Sequence, residues 1–132
     1  MSVSADVSLL KELLGDTVPE EGCPSRLVLN HVTSKWGVLV LLALAEGTRR
    51  WGELRRAVGG ISEKMLAQTL QTLERDGLVR RDAKPVVPPH VEYSLTELGD
   101  GLVERLVPLV VWAAQHGPEI QQRWEPEGPT HN

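Results

Sequence analysis

The sequence predicts a mainly α-helical protein of the α+β class. Between residues 25 and 76, apolar residues recur at helical spacing in segments separated by glycines or hydroxyl residues. Residues 78–84 and 91–95 contain β-branched or aromatic side chains in partial alternation, and the PVVPP sequence between them cannot be helical. A further helical pattern follows Thr96. This order of helices, hairpin and helix is that of a winged helix-turn-helix domain with N- and C-terminal dimerisation helices.

Length and composition are those of one compact domain with terminal extensions. The chain has 132 residues, of which 41% are hydrophobic, enough for one modest core. We divide it into an N-terminal helix and linker (1–22), a winged-helix domain that includes the C-terminal dimer helix (23–116), and an acidic, flexible tail (117–132). A single cysteine, Cys23, excludes an intrachain disulfide, and four scattered histidines lack zinc-ligand spacing. We therefore expect no metal and no cofactor.

The sequence contains no recognisable export or membrane segment. The first residues lack a basic start and a long apolar run, and the longest apolar block, residues 37–45, is too short to span a bilayer. We expect a cytoplasmic protein with no membrane partner.

Glycines and hydroxyl residues divide the helical region. Residues 5–14 form an amphipathic pattern that stops at Gly15. After Pro24 we expect a short helix with Ser25 as its N-cap, and then an apolar, almost wholly buried helix that ends at Gly47. A small strand (48–51) and a third helix (52–58) complete this part of the chain, before the turn at Gly59 and Gly60.

Residues 62–76 form the candidate recognition helix, which starts at Ser62 and stops at Gly77. Its buried stripe is predicted to consist of Ile61, Leu66, Leu70 and Leu73, with Met65 and Thr69 at its borders. The outward residues are polar and mildly basic, which suits a helix in the DNA major groove, although an ordinary solvated face has the same composition. These residues are Lys64, Ala67, Gln68, Gln71, Thr72 and Arg75.

The hairpin at residues 80–91 is the candidate wing. Arg80, Arg81, Lys84 and His90 surround its proline-rich tip, where cations can contact the DNA backbone or enter the minor groove. A solubilising edge hairpin protected by proline and charge is the alternative. His90 would make the charge at the tip depend on pH.

The charge of the chain is unevenly distributed. The formal net charge is −4, but residues 25–95 contain eleven Lys and Arg against seven Asp and Glu, a local charge of +4. Residues 1–24 and 96–132 each have a charge of −4. A basic centre between two acidic ends is compatible with a polyanionic partner, although an excess of four charges also arises by chance.

The last helix is predicted to be the main dimer contact. Its apolar residues Leu98, Leu102, Leu106, Leu109 and Ala113 form a stripe too long for a small domain to cover. A homodimer explains the stripe, and intrachain packing against the helix from Trp36 is the alternative. Pro108 lacks an N–H group, so we expect a kink or break in this helix.

Several motifs occur in a fixed order between residues 23 and 112. They are Cys23-Pro24, Lys35-Trp36 before an apolar helix, RRWGELRRAVGGIS from Arg49, KMLAQTLQTLERDGLV from Lys64, VPP, VEYSLTELG and Trp112. In this order the sequence resembles the HxlR-type winged helix-turn-helix transcriptional regulators. The resemblance implies a homodimer that binds operator DNA. The chain departs from the family pattern at Ala67, at Thr69, where arginine is common, and at His90, where arginine or lysine is common.

The candidate functional residues follow from the charge pattern and the resemblance together. For DNA contact they are Lys35, Arg49, Arg50, Ser62, Lys64, Gln68, Thr69, Thr72, Arg80, Arg81, Lys84 and His90; for dimerisation they are Leu102, Leu106, Leu109, Trp112 and Ala113.

Three further hypotheses concern activity and its regulation. Cys23 at a helix start is a candidate redox sensor, or else a small buried hydrophobe. A small-molecule effector would need a cavity, for example between the helix from Trp36 and the helix with Trp112, although tryptophans more often anchor a core. No phosphate loop, nucleophile elbow or paired catalytic carboxylates occur, so we expect no enzyme. The rival to DNA binding is a winged-helix module that binds protein.

Overall fold

The computed structural model describes residues 3–15 and 18–124, which form a winged helix-turn-helix domain. The described elements, in chain order, are α1 (Val3–Leu14), α2 (Pro24–Val32), α3 (Lys35–Ala45), β1 (Arg49–Arg50), α4 (Trp51–Ala57), α5 (Glu63–Arg75), β2 (Val79–Lys84), β3 (His90–Leu95) and α6 (Glu97–Gln122). The predicted fold class is confirmed.

Hydroxyl side chains start three of the helices. Ser34, Ser62 and Thr96 each accept a backbone N–H from the third residue of the helix that follows, at 3.0 to 3.1 Å. The predicted cap at Ser25 was wrong, because α2 begins at Pro24 with Cys23 as its N-cap. Proline suits this first position, since its fixed φ is helical and its missing N–H would have had no partner there.

A three-stranded antiparallel sheet forms the wing, with strand order β1-β3-β2. The β2–β3 register pairs Val79 with Leu95 at the base and Lys84 with His90 at the tip. Residues 85–89 form the loop between the two strands. The predicted hairpin is therefore present at the predicted place.

The core surrounds α3. Val40, Leu41 and Leu44 of this helix are at most 2% exposed and belong to the same cluster as the apolar face of α5. The predicted stripe of α5 is confirmed, since Ile61, Leu66, Leu70 and Leu73 are all buried. The other side of α3 reaches the surface at Leu39, which is 39% exposed, so this helix is less fully buried than its composition indicated.

Helix α6 is longer and more continuous than the sequence predicted. It contains Pro108 and Pro118 and runs without a break to Gln122. Of the predicted kink or break near Pro108, the break was wrong, because one proline removes one hydrogen bond and the neighbouring turns keep the helix together; the kink stays a prediction. Residues 117–122 are helical where a flexible tail was expected, and the rest of that tail, 125–132, lies outside the described residues.

Among the described residues, no single helix is long and apolar enough to cross a membrane. Within this described part of the chain, only α2 and α3 taken together reach the required length and composition, and they meet at a bend of 71°. The buried face of α3 belongs to the core of the domain.

Candidate nucleic-acid interface

A polar stripe lies along the solvent side of α5. Lys64, Gln68, Gln71 and Arg75 are all exposed, and their spacing of four, three and four residues places them on one line of a helix. This line lies opposite the buried leucines, which fix the helix in the domain. We call these four residues the α5 stripe. Gln71 and Arg75 were recognised as outward residues from the sequence but were not among the candidate DNA contacts.

Thr69 and Thr72 lie beside the α5 stripe and not on it. Both are half-buried, and they line a small groove of about 260 Å³ against the α2–α3 junction. The hydroxyl of Ser62 already has a partner within the helix, because it caps α5 by accepting the Met65 N–H at 3.1 Å. Of the predicted contacts in this helix, Lys64 and Gln68 are therefore the ones that project furthest from the domain.

A hydrogen bond between α2 and the end of α5 was missed from the sequence. Nδ1 of His31 lies 2.8 Å from Oδ2 of Asp76, the residue that follows the last turn of α5. The Asp76 side chain is only 18% exposed. This contact joins the end of α5 to the domain, and no local sequence pattern links two residues 45 positions apart.

Two carboxylates of the wing lie beside two of its predicted DNA contacts. Asp82 and Glu92 are direct cross-strand partners, and Nζ of Lys84 lies 2.7 Å from Asp82 and 3.8 Å from Glu92. Nε2 of His90 lies 3.2 Å from Glu92. The Asp82–Lys84 ion pair lowers the pKa of Asp82 and raises the pKa of Lys84. Lys84 and His90, two of the four predicted wing contacts, thus each have a carboxylate partner within the wing.

Arg80 and Arg81 are the exposed cations of the wing. Their side chains point to opposite faces of β2 because neighbouring residues alternate in a strand. Arg80 lies on the same face as Asp82, whereas Arg81 pairs across the strands with Tyr93. Among the described residues, neither arginine takes part in an ion pair within 4.0 Å.

Three predicted contacts lie outside both the α5 stripe and the wing tip. Arg49 has a structural role, because its guanidinium donates to the Ala43 carbonyl at 2.8 Å and to Glu46 at 2.6 Å. With these partners it closes the end of α3, and its assignment as a DNA contact stays a prediction. Arg50 is exposed beside β3. Lys35 is exposed, and its ammonium lies 4.5 Å from the centre of the Trp36 ring.

Cys23 occupies the N-cap of α2 and is half-buried. The backbone N–H of Arg26 in the first turn lowers the pKa of the thiol, although the geometry falls short of a regular capping hydrogen bond. Desolvation opposes this effect and Ser25 adds to it. The thiol is therefore both accessible and more acidic than an ordinary cysteine.

The predicted dimer stripe divides between the core and the surface. Leu106 is 6% exposed and packs in the core, so its assignment to dimerisation was wrong, and Leu102 packs partly against the same cluster. Leu109 and Trp112 are 58% and 53% exposed. The reason is geometric, since α6 extends beyond the domain after Leu106. Ala113 is exposed on this projecting part.

An apolar groove runs between α2 and the start of α6. It has a volume of about 680 Å³, and Val28, Leu78, Leu98 and Leu102 contribute to its lining. Of the two tryptophans considered as lining a cavity or anchoring the core, Trp36 packs against the core, whereas Trp112 is exposed. Within the described residues, no three His, Cys, Asp or Glu side chains come together as metal ligands.

Comparison with known proteins identifies the family. Residues 31–121 match the model of the HxlR-like helix-turn-helix family. The chain is 56% identical over 116 residues to YtfH of Escherichia coli (strain K12), an uncharacterized HTH-type transcriptional regulator, with 88% of this chain and 92% of YtfH covered.

Two solved structures extend the comparison. The structure of YtfH from Salmonella typhimurium is 55% identical, covers 80% of this chain and 95% of its own, and has a TM-score of 0.75. The redox regulator HypR in its oxidized form is 35% identical, covers 70% of this chain and 96% of its own, and has a TM-score of 0.66. These relatives are regulators and not enzymes. The chain therefore belongs to the HxlR-like helix-turn-helix family of transcriptional regulators.

Proposed function

We propose that this protein is a sequence-specific DNA-binding transcriptional regulator that acts as a homodimer. The observation that carries the proposal is the α5 stripe, in which two amide side chains lie between two cations on a helix that the core holds rigidly. Glutamine can pair with the edge of adenine, while lysine and arginine reach guanine or phosphate. Helix α5 therefore enters the major groove with Lys64 and Arg75 at its two ends.

The wing supplies the second contact in this proposal. Arg80 and Arg81 are exposed on its two faces, so the wing can lie along the DNA backbone or enter the minor groove with at least one guanidinium directed at phosphate. The basic centre of the sequence, with its local charge of +4, supports the same assignment.

Helix α6 is the proposed centre of the homodimer. Leu98, Leu109 and Trp112 are 53% to 64% exposed and lie on one side of this helix. A second copy that packs on this side would bury these residues, and a two-fold dimer presents two α5 helices to two half-sites about one turn of DNA apart. The acidic substitution Leu109→Asp should produce monomers in sedimentation velocity, whereas Gln115→Asp, on another side of α6, should not.

DNA binding is tested by selecting bound fragments from a genomic library and measuring affinity by fluorescence anisotropy. Lys64→Ala and Arg75→Ala should each weaken binding roughly tenfold and reduce the salt slope by about 0.9, the value for one phosphate. Gln71→Ala should keep the slope but reduce the preference for the selected site roughly tenfold. Lys11→Ala removes the same charge on α1 and should change neither quantity.

A winged-helix module that binds protein is the alternative function. Binding that is insensitive to salt and to the Lys64 and Arg75 substitutions would reject the DNA proposal and favour this alternative. A small-molecule effector remains a prediction, and the apolar groove between α2 and α6 is where titration with candidate ligands should be followed.

We also propose a redox response through Cys23. The lowered pKa of its accessible thiol favours reaction with oxidants, and a structurally similar relative is a redox regulator. With one cysteine per chain, diamide can join two protomers by taking up the two hydrogens that the thiols lose as the disulfide forms. If Cys23→Ser leaves the response of DNA binding to diamide unchanged, this proposal fails.

A further inference from the structure

The opposed carboxylates of the wing have no role in the proposed DNA contact. Asp82 and Glu92 face each other directly across β2 and β3, an arrangement that is unfavourable for two like charges. The Lys84 ammonium, which approaches both carboxylates, offsets this repulsion. His90 and Arg80 lie on the same face of the hairpin, and Arg50 of β1 stands in register with Glu92 on the other side.

We propose that Asp82 and Glu92 limit the DNA affinity of the wing by holding Lys84 in an intramolecular ion pair, so that Arg80 and Arg81 make the phosphate contacts. This inference rests on the proposed DNA-binding function and adds two residues that act against binding. It assigns Lys84 to the neutralisation of carboxylates and not to DNA.

The physical reason is a competition for one cation. If Lys84 turned to a phosphate, it would leave two facing carboxylates without their shared partner and close to a third anion. The raised pKa of Lys84 and the lowered pKa of Asp82 have the same origin, namely the attraction within this pair. Arg81 has no such cost, because its cross-strand neighbour is the uncharged Tyr93.

The test compares variants that remove charge and preserve shape. Asp82→Asn combined with Glu92→Gln should raise the affinity for the selected DNA site on the order of tenfold and steepen the salt slope by about 0.9, the value for one additional phosphate. Asp100→Asn combined with Glu104→Gln changes the charge equally at two exposed positions of α6, on the side away from Leu109 and Trp112. This control pair should change affinity less than about twofold, because both positions lie outside the wing.

A double-mutant cycle isolates the part played by Lys84. Lys84→Met alone should have little effect on the salt slope, whereas Arg81→Ala should reduce it. In the Asp82→Asn/Glu92→Gln background, Lys84→Met should remove the additional slope, because only there is the ammonium free to reach phosphate. Unchanged circular dichroism spectra of all variants will show that the hairpin is intact.

The outcomes separate the inference from the function on which it rests. If the wild type binds DNA in a salt-dependent way but the wing double variant behaves like the α6 control, the inference is overturned. The same holds if Lys84→Met alone reduces the salt slope as strongly as Arg81→Ala. If the wild type shows no salt-dependent binding at all, the proposed function fails first.

Discussion

The contact between α6 and the base of the wing is so close that it excludes even a methyl group. Gly99 lies in the first turn of α6, where a β-carbon would overlap the Leu78 carbonyl oxygen and lie 3.3 Å from Cδ2 of Leu95. That carbonyl cannot move freely, because it accepts the Thr96 N–H at 3.0 Å. Gly99→Ala must therefore displace α6 from the wing or break this hydrogen bond.

The magnitude follows from two opposing effects. Alanine is favoured over glycine within a helix by about 1 kcal/mol, whereas overpacking a rigid site costs about 1 to 3 kcal/mol. Since the obstacle at Gly99 is backbone, the upper value applies, and the net destabilisation is about 2 kcal/mol. Gly101 is the matched control in the same helix, because its β-carbon would meet only the end of the Arg105 side chain, 4.0 Å away. Gly101→Ala should stabilise by about 1 kcal/mol.

Urea and thermal unfolding measure the difference between the two variants. The expected gap of about 3 kcal/mol corresponds to roughly 10 °C in Tm for a chain of this size. Sedimentation at the same concentration ensures that both variants are compared in one oligomeric state. Equal stabilities for the two alanine variants would refute the close contact at Gly99, since helix propensity alone predicts that they behave alike.

Three further predictions concern the cap of α5, the thiol and the wing ion pair. Ser62→Ala should destabilise by about 1 kcal/mol in urea unfolding and Ser62→Asp should restore most of it, because only the latter keeps an acceptor for the helix N–H. Alkylation of Cys23 should reach half its maximal rate at lower pH in the folded protein than in urea, where the Arg26 N–H no longer faces the thiol. The folded pKa is lowered for Asp82 and raised for Lys84, so their stabilising pair should persist from about pH 5 to 9, and be lost as pH falls through the carboxyl pKa or rises through the ammonium pKa. NMR titration of both side chains measures these two limits.

Local signals explain why α5 could be placed from the sequence. Ser62 and Gly77 mark its ends, and the spacing of Leu66, Leu70 and Leu73 fixes its buried face, so the observed Glu63–Arg75 helix agrees with the predicted one. Each of these signals acts within one or two turns of the chain. The hairpin could be predicted from the sequence for the same reason, because proline and the β-branched residues also act locally.

Features that depend on distant partners could not be predicted. The apolar period of α6 includes both Leu106 and Leu109 but does not say that the core ends between them. The basic character of Arg49 and Lys84 indicated DNA contacts but gave no sign of their partners within the chain, which are a helix end and two carboxylates. Strand register decides the second case, and register depends on the geometry of the loop as well as on composition.

An acidic chain can contact DNA if its negative charges lie far enough from the contact surface to be screened by salt. Salt limits the reach of a surface charge to about 8 Å at physiological ionic strength, so acids far along α6 oppose DNA much less than acids within the wing. Net charge is therefore a poor guide to the partner of this protein, and the immediate neighbours of each cation are a better one. By that criterion we expect Arg75 and Arg81 to contact phosphate and Lys84 to stay with its carboxylates. In the proposed complex, the affinity of the wing for DNA would depend on Arg80 and Arg81 on one side and on the Asp82–Glu92 pair on the other, so a change of a single strand residue would shift it.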